Sequence, residues 1–127
     1  MINEKRQIPT TQNLSFGTVS TASGTIVSAG SVDLEAGTYA IQYTVAFASN
    51  ATGYRAISLN STATPSDIAA LGYRFAASSN ALNGLQTFVT MTVLDKLSSS
   101  TTRYFHVLQN SGSTLNCYPR VFIVKLA

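Results

Sequence analysis

The sequence predicts an all-β domain: an antiparallel two-sheet sandwich or jelly roll of about eight to ten strands, with at most one short helical turn. Three observations predict it. Residues 37–47 alternate for ten positions, with Tyr39, Ile41, Tyr43, Val45 and Phe47 on one face and Thr38, Ala40, Gln42, Thr44 and Ala46 on the other. Strand side chains alternate with period two, so this is a long strand with a bulky face to bury. Turn-forming clusters recur every 8–12 residues or so, as in sandwiches and barrels. Finally, Ser and Thr make up 32 of 127 residues while charged residues are only 10%, against about 25% in an average soluble domain. No Lys/Glu-rich helical segment appears.

The elements follow in order. Residues 1–12 are polar and carry Pro9; they read as an extended N-terminal arm, and 13–127 as one jelly-roll domain. Residues 14–19 alternate and form the first core strand, followed by turn chemistry at Thr21-Ala22-Ser23-Gly24. Residues 25–34 make one or two strands with a bend at Gly30. The strand 37–47 runs through the Gly-containing loop 50–53 into a return strand 54–60, which reads as a hairpin. Thr64, Pro65 and Asp67 ahead of Gly72 suit a single helical turn over 65–71. A short strand follows at 73–77. Another spans 85–94, with Leu85, Val89, Met91 and Val93 on one face. After a polar loop at 95–102 come strands at 103–109 and 115–126, the last apolar on both faces over Val121–Val124 and so in need of cover on both sides.

Composition also excludes functions. The net charge of +3 is dispersed, only Lys5-Arg6 being adjacent, so there is no basic face for nucleic acid. One cysteine, Cys117, and one histidine, His106, cannot make a disulfide framework or a zinc site, and no calcium loop is present. No cofactor or metal is expected. His106 on a strand reads as a hydrogen-bonding residue, because no Gly-x-Ser-x-Gly elbow supports a catalytic triad. The acids Asp33, Glu35, Asp67 and Asp95 read as caps and solvated loops instead of a glycosidase pair. The chain is therefore not expected to be an enzyme. No apolar leader or membrane-length run occurs, so membrane insertion is not expected.

Two sets of residues carry the functional expectation. Strands that are apolar on both faces are not satisfied by one two-sheet core. Ala40, Gln42, Thr44, Val121 and Ile123 are thus expected at a subunit interface, the alternative being a loop or sheet bend that covers them. Tyr54, Arg55, Tyr73, Arg74 and Arg120 are expected to contact a ligand, since Tyr and Arg offer rigid area and directional donors. The alternative is that the rings fill the core and the arginines pair with acids.

The segment Ala36-Gly37-Thr38-Tyr39-Ala40-Ile41 resembles the Pro/Ala-Gly-x-Tyr-x-Phe/Ile strand of the complement globular-head and tumour-necrosis-factor superfamily. A return strand ending in Asn60 and a terminal apolar strand at 121–127 extend the likeness across residues 14–127. Residues 47–55 resemble versions at the tips of bacteriophage fibres, and 121–127 those of spore-surface filaments. The resemblance implies a homotrimer that caps or decorates a fibre on the virion surface. It would be made in the host cytoplasm, dock to other virion proteins through residues 1–12, and attach to a cell-surface glycan. The alternative is a purely structural trimerisation or coat module, of the spore-surface kind, without a ligand.

Overall fold

A computed structural model describes residues 11–64, 74–82 and 84–127, with the backbone alone for 74–78. The helical turn expected at 65–71 and Tyr73 lie outside these residues. Nine strands form: β1 (Thr11–Ser15), β2 (Val19–Thr21), β3 (Val27–Leu34), β4 (Gly37–Phe47), β5 (Tyr54–Asn60), β6 (Arg74–Asn80), β7 (Thr87–Leu97), β8 (Thr101–Gln109) and β9 (Leu115–Lys125). They make two antiparallel sheets. One has the order β1-β9-β4-β7, with β2 also paired to β9, and the other has the order β3-β8-β5-β6. The chain crosses between sheets at almost every connection after β3, which is the jelly-roll, tumour-necrosis-factor-like arrangement.

The alternating face of β4 is the centre of the core. Tyr39, Ile41, Tyr43, Val45 and Phe47 are all at most 1% exposed. They pack against Ile57, Leu59, Phe105 and Val107 of the opposite sheet, with Val89, Val93, Cys117, Val121 and Ile123 beside them. The Tyr43 ring meets Phe105 edge-on at 4.9 Å, and its hydroxyl donates to the His106 carbonyl at 3.1 Å, as a buried tyrosine requires. Burial raises the Tyr43 hydroxyl well above its ordinary pKa, the neighbouring Cys117 adding to the effect. Burial likewise pushes the Cys117 thiol up to about 12, so this cysteine behaves as a small hydrophobe.

Several expectations are corrected. The expected hairpin of 37–47 with 54–60 does not form: β4 pairs with β7 and β9, whereas β5 pairs with β6 and β8. The loop between them crosses from sheet to sheet. The first core strand is two pieces, broken at residues 16–18: Phe16 still donates its N–H to the Pro119 carbonyl at 3.2 Å and sets its ring 5.7 Å from Phe105, and Gly17, at φ +73°, then turns the chain. That ring lies over the bulge in β3, where a Cβ on Gly30 would meet it at 2.5 Å. Strand β1 starts at Thr11, so the last two residues of the expected arm belong to the sheet. Leu85 precedes β7 and is exposed.

Asp95 is no loop residue. Strand β7 continues to Leu97, and Asp95, 2% exposed, receives two hydrogen bonds from Arg103 of β8, Nε at 2.8 Å and Nη2 at 3.3 Å. This pair ties the two sheets near the end where the chain terminates. Removing the carboxylate takes two hydrogen bonds from the buried Arg103 guanidinium, worth about 1.5–3 kcal/mol each for a bond to a charged group. Asp95→Ala is expected to show that loss as a lower urea midpoint at unchanged slope. The double replacement Asp95→Leu with Arg103→Met should recover most of that loss.

Candidate interaction face and loop end

The outer face of the five-stranded sheet is built by register. Four rungs cross it: Thr11–Val124–Ala40–Leu94, Asn13–Phe122–Gln42–Thr92, Ser15–Arg120–Thr44–Thr90 and, without β1, Tyr118–Ala46–Phe88. All these residues point away from the core, whose residues occupy the alternate positions. Along β4 the side chains are small and form a trough. Larger ones on β9 and β7 wall it. Two shallow concavities flank Phe122: one of ≈ 300 Å³ reaches Asn13, Ser15 and Arg120, and one of ≈ 250 Å³ reaches Ala40, Thr92 and Val124. Thr44 and Thr90 share a short hydroxyl–hydroxyl hydrogen bond across the trough, which leaves the trough floor less polar than its composition suggests.

This face sets large exposed hydrophobic side chains among polar ones. Among the described residues, seven large hydrophobic side chains are exposed, and four of them lie here: Phe88 (61%), Leu94 (66%), Tyr118 (39%) and Phe122 (37%). Their only cationic neighbours on the rungs are Arg120 and, one rung beyond, Lys96. Exposed apolar surface of this kind normally marks an interaction site.

The residues expected at an interface divide. Ala40, Gln42 and Thr44 lie on this face, whereas Val121 and Ile123 are in the core, 1% and 3% exposed. Period two allows no other outcome once Arg120 points outward, and it puts Phe122 and Val124 on the face in their place. The charged positions thus hold the phase signal: Arg120 for β9, and Lys96 for β7, where it places Phe88 and Leu94 outside.

The expected ligand contacts do not gather into one site. Arg120 is exposed in the middle of the sheet face, beside Ser15 and Thr44. Arg74 opens β6 opposite Asn60. Tyr54 and Arg55 sit at the far end of the sandwich, near the loops 48–53, 81–86 and 110–114. Tyr54 is half-buried, and its backbone N–H donates to Asn110 Oδ1 at 2.6 Å. Arg55 turns inward and is fully buried. Its guanidinium donates to the carbonyls of Asn50 (2.7 Å), Thr52 (2.9 Å) and Tyr54 (3.1 Å), so it shapes the loop and is closed to a ligand. Burial lowers its pKa from the ordinary value.

Beside it Gln109 performs the same service for two more loops. Its Nε2 donates to the Thr21 and Ser113 carbonyls at 3.0 and 2.8 Å, and its Oε1 accepts the Ser111 N–H at 2.7 Å. The loop end is therefore a set of polar turns fixed from beneath by buried side chains. No group of three or more His, Cys, Asp or Glu lies together among the described residues. No helix among them is long and apolar enough to cross a membrane.

No protein-family model matches the chain, and no curated protein matches its sequence. Solved structures do share its fold. The VP2 subviral particle of infectious bursal disease virus superposes with a TM-score of 0.68 at 9% identity, covering 98% of this chain and 36% of that one. A chain of the T13 viral particle of the same virus gives 0.63 at 8% identity, with 98% of this chain and 35% of that one covered. Eiger TNF from S. frugiperda gives 0.57 at 11% identity, covering 94% of both chains. The chain thus spans about a third of the viral chains it matches, and at these identities the likeness is one of fold.

One consequence of the loop-end packing is testable. Gly53 has φ +77°, and a Cβ there would run into the Asn110 backbone, its carbonyl carbon at 2.9 Å. Gly53→Ala is expected to destabilise the protein by more than about 1 kcal/mol. The loss should show in thermal melting and as faster amide exchange at Tyr54, whose N–H Asn110 holds.

Proposed function

We propose that this is a non-enzymatic, self-associating virion domain, a fibre tip or surface decoration. Three copies join through the outer face of the five-stranded sheet, and the loop end is turned toward a cell-surface glycan. The observation that carries the reading is the apolar face of Phe88, Leu94, Tyr118 and Phe122, walled around the β4 trough.

Its shape favours a head-to-tail ring over a two-fold pair. Strand β7 is an edge strand carrying Phe88 and Leu94, and the trough runs along β4 beside it, so ridge and groove are different parts of one surface. A ridge of one copy seated in the trough of the next is a heterologous contact, which closes into a ring when the rotation permits. Permanent interfaces bury on the order of 2,000 Å² or more, and a face spanning four strands is large enough to supply it. The low charge of the chain agrees with permanent assembly, because interface cores are depleted in charge.

Orientation supports attachment. Thr11 pairs with Val124 and the terminal residues bond Thr38, so both described chain ends lie at one end of the sandwich. The loops fixed by Arg55 and Gln109 lie at the other. A partner bound to residues 1–10, such as another virion protein, leaves those loops facing outward, with Tyr54 and the surrounding Asn, Ser and Thr groups suited to sugar hydroxyls. A second reading, a purely structural coat module without a ligand, is favoured by the fold shared with a particle-forming VP2.

Leu94→Glu and Phe122→Glu, which touch no core contact, are expected to convert the assembly to folded monomers in size-exclusion chromatography with light scattering. Unchanged mass would remove this face from the assembly. Adsorption of labelled protein to bacterial cells separates the two readings: saturable binding, reduced by Tyr54→Ala, supports attachment, and none supports the coat module.

A further inference from the structure

Among the described residues, 61–64 after β5 are held to the outer face of the four-stranded sheet at Thr62. Both of its peptide groups are gripped by buried side chains. Its N–H donates to Asn60 Oδ1 at 2.8 Å, and its carbonyl lies 2.8 Å from His106 Nε2. Asn60 is 2% exposed and His106 1%, whereas residues 61–64 are themselves exposed. A carbonyl only accepts, so Nε2 carries the imidazole proton and Nδ1 presents a lone pair. Nδ1 of His106, Oγ of Ser58 and Nδ2 of Asn60 are buried without a hydrogen-bond partner among the described residues.

The surroundings favour the neutral ring. His106 is flanked in register by Ser28 of β3 and Ser58 of β5, neither of which carries charge. On its own strand the same face holds Tyr104 and Leu108, and the loop contributes Thr62. Asp33, on β3, is occupied two rungs away by the Thr102 hydroxyl, which donates to it at 2.6 Å. Arg74 lies opposite Asn60 in the β5–β6 register. Among the described residues no carboxylate stands at the His106 rung to receive a second proton's charge. Burial lowers the imidazole pKa below 6.5, and the Thr62 bond offsets this only in part.

We propose that the His106–Thr62 contact is an acid-labile mooring: neutral His106 holds loop 61–64 on the sheet, and protonation at Nδ1 releases it. A charged ring beneath the loop needs water, and water reaches Nδ1 when the loop lifts. The direction follows from linkage. Because the ring titrates lower when moored than when free, the mooring is fully present above the free value of about 6.5 and weakens as pH falls through it. It is lost once the pH is below the moored pKa.

His106 is the chain's only histidine, so its NMR signals are unambiguous. Imidazole ¹⁵N shifts should report the Nε2–H form at neutral pH and a titration midpoint below 6.5. Exchange protection of the Thr62 amide, corrected for intrinsic rate, should fall across that titration. In His106→Gln, which keeps a donor for the Thr62 carbonyl but does not titrate, protection should no longer depend on pH. A midpoint at or above 6.5, constant Thr62 protection through the titration, or the same acid loss in His106→Gln would each overturn the proposal. The wild-type titration decides even if the variant does not fold.

Discussion

The structure depends on one constraint: its two central strands, β4 and β9, each bury one apolar face, and the alternation leaves a second face of Thr, Ala and Gln on β4 and of Tyr118, Arg120, Phe122 and Val124 on β9. The inner faces find each other and the opposite sheet, and they make a core in which β4 is almost entirely sealed. The outer faces have nothing of this chain against them among the described residues. An apolar face of this size in water is a standing cost that burial against another surface removes. The core and the exposed sheet face therefore come from the same alternation, read on opposite sides of one sheet.

The ends of the sandwich solve a different problem. Chain crossings between sheets leave backbone groups that no ladder satisfies, and buried polar side chains meet them. Arg55 and Gln109 serve the loop end: Arg55 satisfies carbonyls of the turn just before it, and Gln109 joins the Ser113 turn to Thr21, far away in sequence. Asp95 and Arg103 serve the other end by linking sheet to sheet. His106 and Asn60 do the same for one loop, with the difference that His106 can change its charge near neutral pH. Buried polar groups thus define loop shape here, while hydrophobic burial supplies the driving force.

Much of the architecture was legible because alternation is a local property. The core face of β4, the bulge region near Gly30 and the strand positions of β5, β8 and β9 can all be read from a few neighbours. Pairing is not local, and so the apparent hairpin of 37–47 and 54–60 proved to be a crossing between sheets. Face assignment on β9 needed the phase set by Arg120, without which Val121 and Phe122 look equivalent. The burial of Asp95 and Arg55 was illegible for a related reason: each polar group is accommodated by partners that only the folded turns bring near. Exposed Phe88 and Leu94 were hidden among Thr residues that suggest an ordinary solvated edge.

The central claim is that the outer sheet face is covered by other copies of this chain. Sedimentation equilibrium of the wild-type protein at micromolar concentration tests it most directly. The account predicts a single species of three 13.5 kDa chains, independent of concentration over that range. A monomer that binds apolar dyes at its exposed sheet would contradict it.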